Sequence, residues 1–576
     1  MRNTLLIILF LISFIVLGIF LEQSSYFCPI KKELQKITLP SPPLKFSKRG
    51  TILEKLGLTY VFPRDYSNFF DSKTGKFKSG NIISLDSPRP EYGKDWGSHE
   101  QILPEKIPSS LIMDQSIISK GIPILSVVVD ENDLYDPSTG IFTNRKRKGK
   151  AWERPCFISY YDKGKLLFAT GAGIRIHGSS LHKRKAESLR FYFRDIYGCD
   201  QFKTGIIFDR ESEPLRQVIT RIEFNFASAL ALDLSKRIGC IVPQSHPVEV
   251  YLNGSRYGDR HVLIEHLNKE WLVSHYGHDN FVLLRTTGHR EERRKSNEYQ
   301  RLIKWANDKN IRMTMEEVGK YVDIENLSRW FISQFYTAGN DMYQGPLLLD
   351  KSKPNSKWFW INWDMDCSFK NPFEPEKKNM WEQELNIYNV MHNPKRDRKN
   401  PKTARFQRKD PRAILFRRLR NEDPEFKKYF ERLFMSVMNH RLTIDFLRSW
   451  VDYHEKIILS LGSSDQEFFN QLRLFVNHRS EYLRKLMQKY FSSPESHICR
   501  VGGPADMTYE IDGFRSAAGY KGWYFKGSEI TVRIESKKGK AVLYWMVNGE
   551  KIKSDDNQLK YTINSKTTIE PVFTSS

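Results

Sequence analysis

The sequence is short of the residues from which several common functions are built. Its 576 residues hold six cysteines, Cys28, Cys156, Cys199, Cys240, Cys367 and Cys499. None forms a Cys-x-x-Cys pair or a Cys/His ligand spacing, so neither a zinc module nor a disulfide-dense scaffold is written here. One or two disulfides and buried free thiols both fit that scatter. The chain also lacks a Gly-x-Ser-x-Gly elbow, a His-Glu-x-x-His pair and a Walker phosphate loop, the specific signatures of α/β-hydrolases, zinc proteases and P-loop NTPases. Acidic residues are scarce: 68 Asp and Glu stand against 91 Lys and Arg, a formal charge of +23. That excess favours acidic partners in general. Basic and aromatic residues do not interleave as in a nucleic-acid module, so no nucleic-acid partner is expected. Apolar material is not short. At 40% hydrophobic and 13% aromatic residues the chain can build large cores, which excludes wholesale disorder, and its length implies several domains.

A single long apolar run opens the chain, and no second one of that length follows. After Met1-Arg2-Asn3-Thr4, residues Leu5 to Leu21 carry no charge. At ~1.5 Å per residue they cover about 25 Å, the lower end for a membrane helix and slightly long for the core of a cleaved leader. The flank from Leu21 to Cys28 offers no pair of small residues for a signal peptidase. That favours an uncleaved signal anchor over 1–21, with the body outside the cytoplasm, in the periplasm or at the cell surface.

Residues 22–120 are rich in Pro, Ser, Lys and Gly and read as an extended lead-in. Strand text then dominates: Ile122–Asp130, Cys156–Tyr161, a turn at Asp162-Lys163-Gly164, Lys165–Ala169, Gly173–Ile176 and Leu189–Phe193. Helical spacing over Ile222–Ile238 ends at Gly239. Strands return over Pro247–Leu252, with Asn253-Gly254 as the hairpin turn into Arg260–Glu265. Beyond Asp323 helices prevail, over Glu325–Ala338 and from Arg412 to Tyr490, around a strand pair near Leu347–Leu349 and Trp358–Asn362. The basic stretch Pro394–Lys402 is a solvated loop or a docking point for an acidic partner. After Ser493-Pro494 strands resume, in Glu529–Ile534, Ala541–Val547 and Thr567–Phe573. The expectation is an α+β body over 121–495 and a small all-β domain over 500–576.

Two stretches carry chemistry. Asp341 stands in Gly339-Asn340-Asp341-Met342-Tyr343-Gln344, and Asp364 and Asp366 close the run Trp358-Phe359-Trp360-Ile361-Asn362-Trp363-Asp364-Met365-Asp366. Spaced i, i+2, the last two project from one face if the strand persists and can share a hard cation. Mg²⁺ suits them, because it takes one or two carboxylates and fills its shell with water and phosphate oxygens. Asp341 is then the candidate base that orients a hydroxyl toward a phosphoryl group. The same three residues also suit turns and caps beside a Trp-rich strand. The second stretch is Gly171-Ala172-Gly173-Ile174-Arg175-Ile176-His177-Gly178-Ser179-Ser180, followed by Lys183-Arg184-Lys185. Its glycines admit backbone N–H groups to a phosphate and its bases neutralise one, although a turn rich in small residues reads the same way.

Taken in order, a set of blocks resembles the CotH family, named for a spore coat protein H. They are Ile122–Asp130, Asp136–Phe142, Trp152-Glu153-Arg154-Pro155, Gly173–Ser180, Arg190–Arg194 with Tyr197-Gly198, Val250–Gly254 with Gly258 and Glu265, and Asn362–Asp366. The likeness runs from Ile122 to Phe491 and includes Asn477-His478-Arg479. It implies an atypical protein-kinase-like, two-lobed fold with a helical C-terminal tail that uses ATP and Mg²⁺ to phosphorylate Ser/Thr hydroxyls, here of an envelope or surface protein. By the same resemblance Asp341 is catalytic, and Asp364 and Asp366 hold metal. Gln344 stands where the family usually has a second-metal Asn. Arg175, Ser179, Ser180, Lys183, Lys185, Arg190 and Glu265 would face the nucleotide. The chain reads Ala186-Glu187-Ser188 where the family commonly reads Lys-Lys-Ser, which leaves Lys183, Lys185 or Arg190 to stand in for the phosphate-pairing lysine and sets the charge of Glu187 against phosphate. A non-catalytic surface protein on a degenerate scaffold of this kind is therefore the alternative. From Gly502 onward, with Gly522–Gly527 and Trp545, the text resembles a bacterial surface-protein β repeat.

Overall fold

The computed structural model describes residues 115–573 except 179–186, 195–196, 198–206, 209–214, 224–225, 286–289, 340–343, 370–378, 384–386, 388–409, 463–464, 536–540 and 554–556, together with a short strand pair, Phe70–Asp71 with Lys76–Phe77. The expected anchor over 1–21, the rest of the lead-in before residue 115 and the basic loop 394–402 lie outside the described residues. Among the described residues no helix is long and apolar enough to cross a membrane.

The first half of the body is a closed barrel. Its strands are β1 (Ile124–Val128), β2 (Arg154–Asp162), β3 (Lys165–His177), β4 (Ser188–Tyr192), β5 (Gln217–Ile222), β6 (Ser245–Leu252), β7 (Ser255–Arg256) and β8 (His261–Glu265). They run β8-β5-β4-β3-β2-β1-β6, with β7 a hairpin arm on β6, and β6 pairs back onto β8 through His261 opposite Val248. Every pairing is antiparallel except β1 with β6. The turns follow from sequence. Lys163-Gly164 and Asn253-Gly254 both take positive φ at both positions, as two-residue hairpin turns demand. Asn253 adds bonds to the Val129 N–H (2.8 Å) and carbonyl (2.9 Å), which pin the hairpin to the end of β1. Closure sorts the strands by parity. Leu125, Val127, Ile158, Ile174, Leu189, Phe191, Val218, Val250 and Leu263 form the inner core. Ile124, Ile219, Tyr251, Val262 and Ile264 look outward and pack on the helices.

The longer helices are α1 (Ala227–Ile238), α2 (Lys269–Tyr276), α3 (Asn297–Asn307), α4 (Ile324–Tyr336), α5 (Pro411–Glu422), α6 (Pro424–Ser436), α7 (Ile444–Ser460) and α8 (Gln466–Phe491). Helix α4 lies at the centre: Trp330, Phe331, Phe335 and Tyr336 are buried in the helical core, and Phe331 meets Phe416 of α5 at 4.0 Å between ring centres. Asp323 caps it by accepting from the Asn326 N–H at 2.8 Å. Beside it run β9 (Phe281–Leu284), β10 (Leu347–Asp350) and β11 (Phe359–Trp360), an antiparallel sheet. The strand-rich and helix-rich halves make an α+β body.

One expectation fails locally. The helical spacing over Ile222–Ile238 predicts a helix from Ile222, but Gln217–Ile222 is a barrel strand and the helix begins at Ala227. The β-branched residues Val218, Ile219, Thr220 and Ile222 account for the strand. The chain ends in nine strands forming two sheets: β12 (Ser496–Val501), β13 (Thr508–Ile511), β14 (Phe514–Ser516), β15 (Tyr520–Phe525), β16 (Ser528–Glu535), β17 (Val542–Val547), β18 (Glu550–Ile552), β19 (Gln558–Ile563) and β20 (Thr567–Phe573). Trp545, Tyr509 and Ile530 sit in the core between them. This unit docks on a π-helical turn, Val437–Arg441, where Asn439 bonds the Trp523 main chain through both its oxygen (2.9 Å) and its amide (2.8 Å). Among the described residues Cys156, Cys240 and Cys499 are buried free thiols.

Candidate active site

The outward face of β3, β4 and β5 gathers cations. Arg175 and Arg190 are direct partners across β3 and β4, and Arg190 is opposite Ile219, which places Arg221 on the same face two residues along β5. The three guanidiniums differ in what holds them. Arg175 is committed to Glu153 at 2.6 Å and lies over the Tyr192 ring at 4.0 Å. Arg190 reaches His177 Nδ1 at 2.6 Å and the Tyr192 hydroxyl at 3.3 Å, and its Nε finds no partner among the described residues. A guanidinium only donates, so His177 must accept at Nδ1 and is neutral. Burial first, then Arg190, His266, Arg221 and Lys148, holds the His177 pKa well below the ordinary value. Beside Arg175 and Arg190 lies a cavity of about 210 Å³ that also takes in Trp152, Arg147, Lys148 and Tyr192, with no carboxylate among the described residues that line it. Burial, and next the charge of Arg190, lowers the Lys148 pKa. Ser179, Ser180, Lys183 and Lys185, assigned to phosphate by the sequence, lie outside the described residues.

The carboxylates come from the turn after β11. The sequence reading let the strand run on through Asp366. The structure corrects this: β11 ends at Trp360 and Asp364 takes a left-handed φ of +56°. The two aspartates nevertheless converge, because both reach Arg221. Asp364 Oδ1 accepts from Arg221 Nη2, and Asp366 Oδ2 lies 3.6 Å from the same nitrogen. The helices fix this turn from below. Ser228 of α1 accepts from the Met365 N–H at 3.2 Å, Asn362 donates to Ser333 of α4 at 2.9 Å, and Phe369 N–H reaches the Thr337 carbonyl at 2.8 Å.

Asp341 lies outside the described residues, but both ends of its loop are placed. Gly339 N–H caps the Gln334 carbonyl at 3.1 Å. At the other end the Gln344 carbonyl takes Arg412 Nη1 at 3.3 Å, and Gly345 has φ +88°. A Cβ on Gly345 would stand 2.1 Å from the Ile361 carbonyl oxygen, so only glycine passes there. Arg412 is itself buried against Asp410 at 2.9 Å.

Two sequence expectations move. Glu265 does not join the cationic face. It points to the inner side of the barrel with no exposed surface, accepting from Gln244 N–H (2.8 Å) and Trp271 Nε1 (2.9 Å), with His275 at 3.2 Å. It ties α2 to β8. Glu187 carries no bare charge toward the cations, since Arg145 pairs with it at 2.9 Å. A residue that the sequence did not single out is Glu223, just past β5. It is 5% exposed, burial raises its pKa to about 6 against the pull of Arg221, and it feels Asp366 and Asp364. Its i, i+2 spacing from Arg221 was the signal available.

The fold is thus a strand barrel over a helical body, with a row of guanidiniums on the barrel's outer face that ends at a carboxylate pair. Residues 174–489 match the family described as CotH kinase protein, more than half of the chain, and the protein belongs to that family. The match begins within β3 and ends within α8, so it takes in Arg175, Arg190, Arg221, Glu223, Asp364 and Asp366 and leaves out the terminal strand unit. No curated protein matches the chain.

Among the described residues no three His, Cys, Asp or Glu side chains converge tightly enough to hold a metal by themselves. The pair Asp364 and Asp366 fits Mg²⁺ nonetheless, since that ion completes its shell with water and phosphate oxygens.

Proposed function

We propose that this CotH-family protein is an exported, membrane-anchored kinase that transfers phosphate from Mg-ATP to Ser/Thr hydroxyls of an envelope or surface protein. The observation that carries the reading is the row of guanidiniums on one barrel face, Arg175, Arg190 and Arg221, of which Arg190 lines a cavity together with Lys148 and Arg221 meets the acidic pair Asp364 and Asp366. Phosphates need the first and their metal needs the second. In this reading Asp364 and Asp366, with Gln344 at longer reach, hold Mg²⁺, which would neutralise phosphate charge when bound. Arg190 and Arg175, with Lys183, Lys185, Ser179 and Ser180, receive the phosphates, and Asp341 orients the acceptor hydroxyl. Glu265 has no part in it. The anchor is the segment 1–21, with Leu5–Leu21 as its apolar run.

A specific observation favours a second reading, a non-catalytic envelope protein on the same scaffold: Arg221 already satisfies the two aspartates as an internal cation. Thermal shift of the purified protein with ATP, with and without Mg²⁺, separates the two. A Mg-dependent rise lost in Asp364→Ala or Asp366→Ala supports the kinase. No response from any nucleotide in well-folded protein supports the scaffold.

A further inference from the structure

Arg221 and Glu223 share one face at the end of β5, where the Glu223 N–H still donates to the Arg260 carbonyl at 3.0 Å. The carboxyl of Glu223 has two different oxygens. Oε2 accepts from the Ala229 N–H at 3.2 Å in the first turn of α1, while Oε1 is buried and finds no hydrogen-bond partner among the described residues. The neighbour of Ala229, Ser228, is the residue that holds Met365 between the two aspartates. Glu223 is thus anchored one residue from the group that fixes the Asp364–Asp366 turn. Among the described residues one guanidinium, that of Arg221, faces all three carboxylates. A divalent cation at the aspartates needs the Asp364 oxygen that Arg221 holds.

We propose that Glu223 is a positioning residue for the cation site: when a divalent cation takes Asp364 and Asp366, the Arg221 guanidinium passes from Asp364 to the unpartnered Oε1 of Glu223. This rests on the Mg-nucleotide reading above. Three features favour the transfer over direct metal ligation by Glu223. The three carboxylates do not converge closely enough to hold a metal together. Glu223 lies on the Arg221 side of the cluster, on the same strand face. Arg221 is long, and its Nη2 already stands between two acceptors. Without Glu223 a displaced guanidinium would stay beside the incoming cation, and like charges would oppose binding.

The test uses Mn²⁺ as probe, with free ion measured by electron paramagnetic resonance on the purified full chain, with and without ADP. Glu223→Gln, which can keep the bond from Ala229, should weaken Mn²⁺ binding by about tenfold or more, within the range of two-site couplings. Glu223→Asp should restore part of the loss. In the Arg221→Gln background the Glu223→Gln effect should vanish, because no guanidinium is left to receive. The proposal is overturned if Glu223→Gln binds as the wild type does, or if its loss persists undiminished without Arg221, which would make Glu223 a ligand. Should Glu223→Gln fail to fold by circular dichroism, Glu223→Asp crossed with Arg221→Gln reads the same coupling. A wild-type protein that binds no Mn²⁺ under either condition overturns the kinase reading itself, a different outcome from either of these.

Discussion

Arg479 gives the most direct measure of how the start of the Asp341 loop is held. It lies in α8 with no exposed surface, and among the described residues no carboxylate pairs with it. Its guanidinium instead donates to four main-chain carbonyls: Phe335 and Tyr336 (3.0 Å) at the end of α4, and Trp381 (2.6 Å) and Gln383 (2.8 Å). Burial pulls its pKa to about 10, which still leaves it charged at neutral pH. A cation at the C-terminal end of a buried helix complements the carbonyl dipoles and satisfies acceptors that α4 cannot satisfy itself. Arg479→Met keeps most of the apolar stem and strands the four acceptors, each costing about 1–3 kcal/mol. Part of that is offset, because the buried charge no longer has to be desolvated. The expected net loss is about 3–5 kcal/mol, and Arg479→Lys, which keeps the charge but loses the planar fork, should lose about half as much. Hydrogen exchange read by mass spectrometry on peptides from α4 reports this locally, where a global transition in so large a chain would not. Because α4 runs directly into Gly339, the same variant should also blunt the nucleotide response. An Arg479→Met protein whose α4 amides open within 1 kcal/mol of wild type would refute the reasoning.

Two further predictions concern the barrel and the terminal unit. Burial holds His261 at about 4, although its bond to the Tyr257 carbonyl at 2.6 Å raises the value. Since the folded state binds this proton less readily than the unfolded chain does, His261 costs nothing above about 6.5 and progressively destabilises the fold as pH falls toward 4. At about 1.4 kcal/mol per unit of pKa, the stability of His261→Gln minus wild type should rise by about 3 kcal/mol between pH 7 and pH 4; a flat difference would contradict it. Asn439→Ala removes both bonds to the Trp523 main chain and should loosen the terminal strand unit by about 2 kcal/mol. Limited proteolysis near Ser492 should then run more than tenfold faster, and an unchanged cleavage rate would show that the π-turn does not hold the unit.

How much of this was legible in the sequence depends on the kind of signal. Two-residue turns carry their own chemistry, so Lys163-Gly164 and Asn253-Gly254 placed two hairpins. Alternating and β-branched runs placed most of the strands. Barrel closure was not legible, because it depends on β6 meeting both β1 and β8, pairings separated by more than a hundred residues in one case. The aspartates were found from spacing, but for a reason that does not hold. They meet through a left-handed turn at Asp364 and the reach of Arg221, and side-chain reach leaves no periodicity. Glu265 was set at the nucleotide by resemblance alone, and a likeness of blocks does not say which side of β8 a side chain faces.

The family blocks divide by the physical work they do. Trp152-Glu153, Gly173 and Tyr197 belong together. Glu153 is buried between Arg175, Arg194 and the Tyr197 hydroxyl, and a Cβ on Gly173 would collide with it at 2.6 Å. That block is a clamp on β2 and β3, and it has a consequence for the cationic face. By engaging Arg175 through Glu153 it leaves Arg190 as the guanidinium on that face without a carboxylate partner among the described residues, while Arg221 is drawn the other way, to Asp364 and Asp366. Over three adjacent strands the guanidiniums thereby grade from Arg175, paired with Glu153, through Arg190, to Arg221, which meets the aspartates of the turn after β11. A ligand with phosphate at one end and a divalent cation at the other meets a complementary charge at each step. A phosphate alone would be drawn to Arg190 but opposed by the aspartates. The proposed kinase function therefore carries an electrostatic prediction: nucleotide and cation should bind with positive coupling, each tighter in the presence of the other by the same factor, and paired titrations of ADP with and without Mn²⁺ that give equal affinities would contradict it.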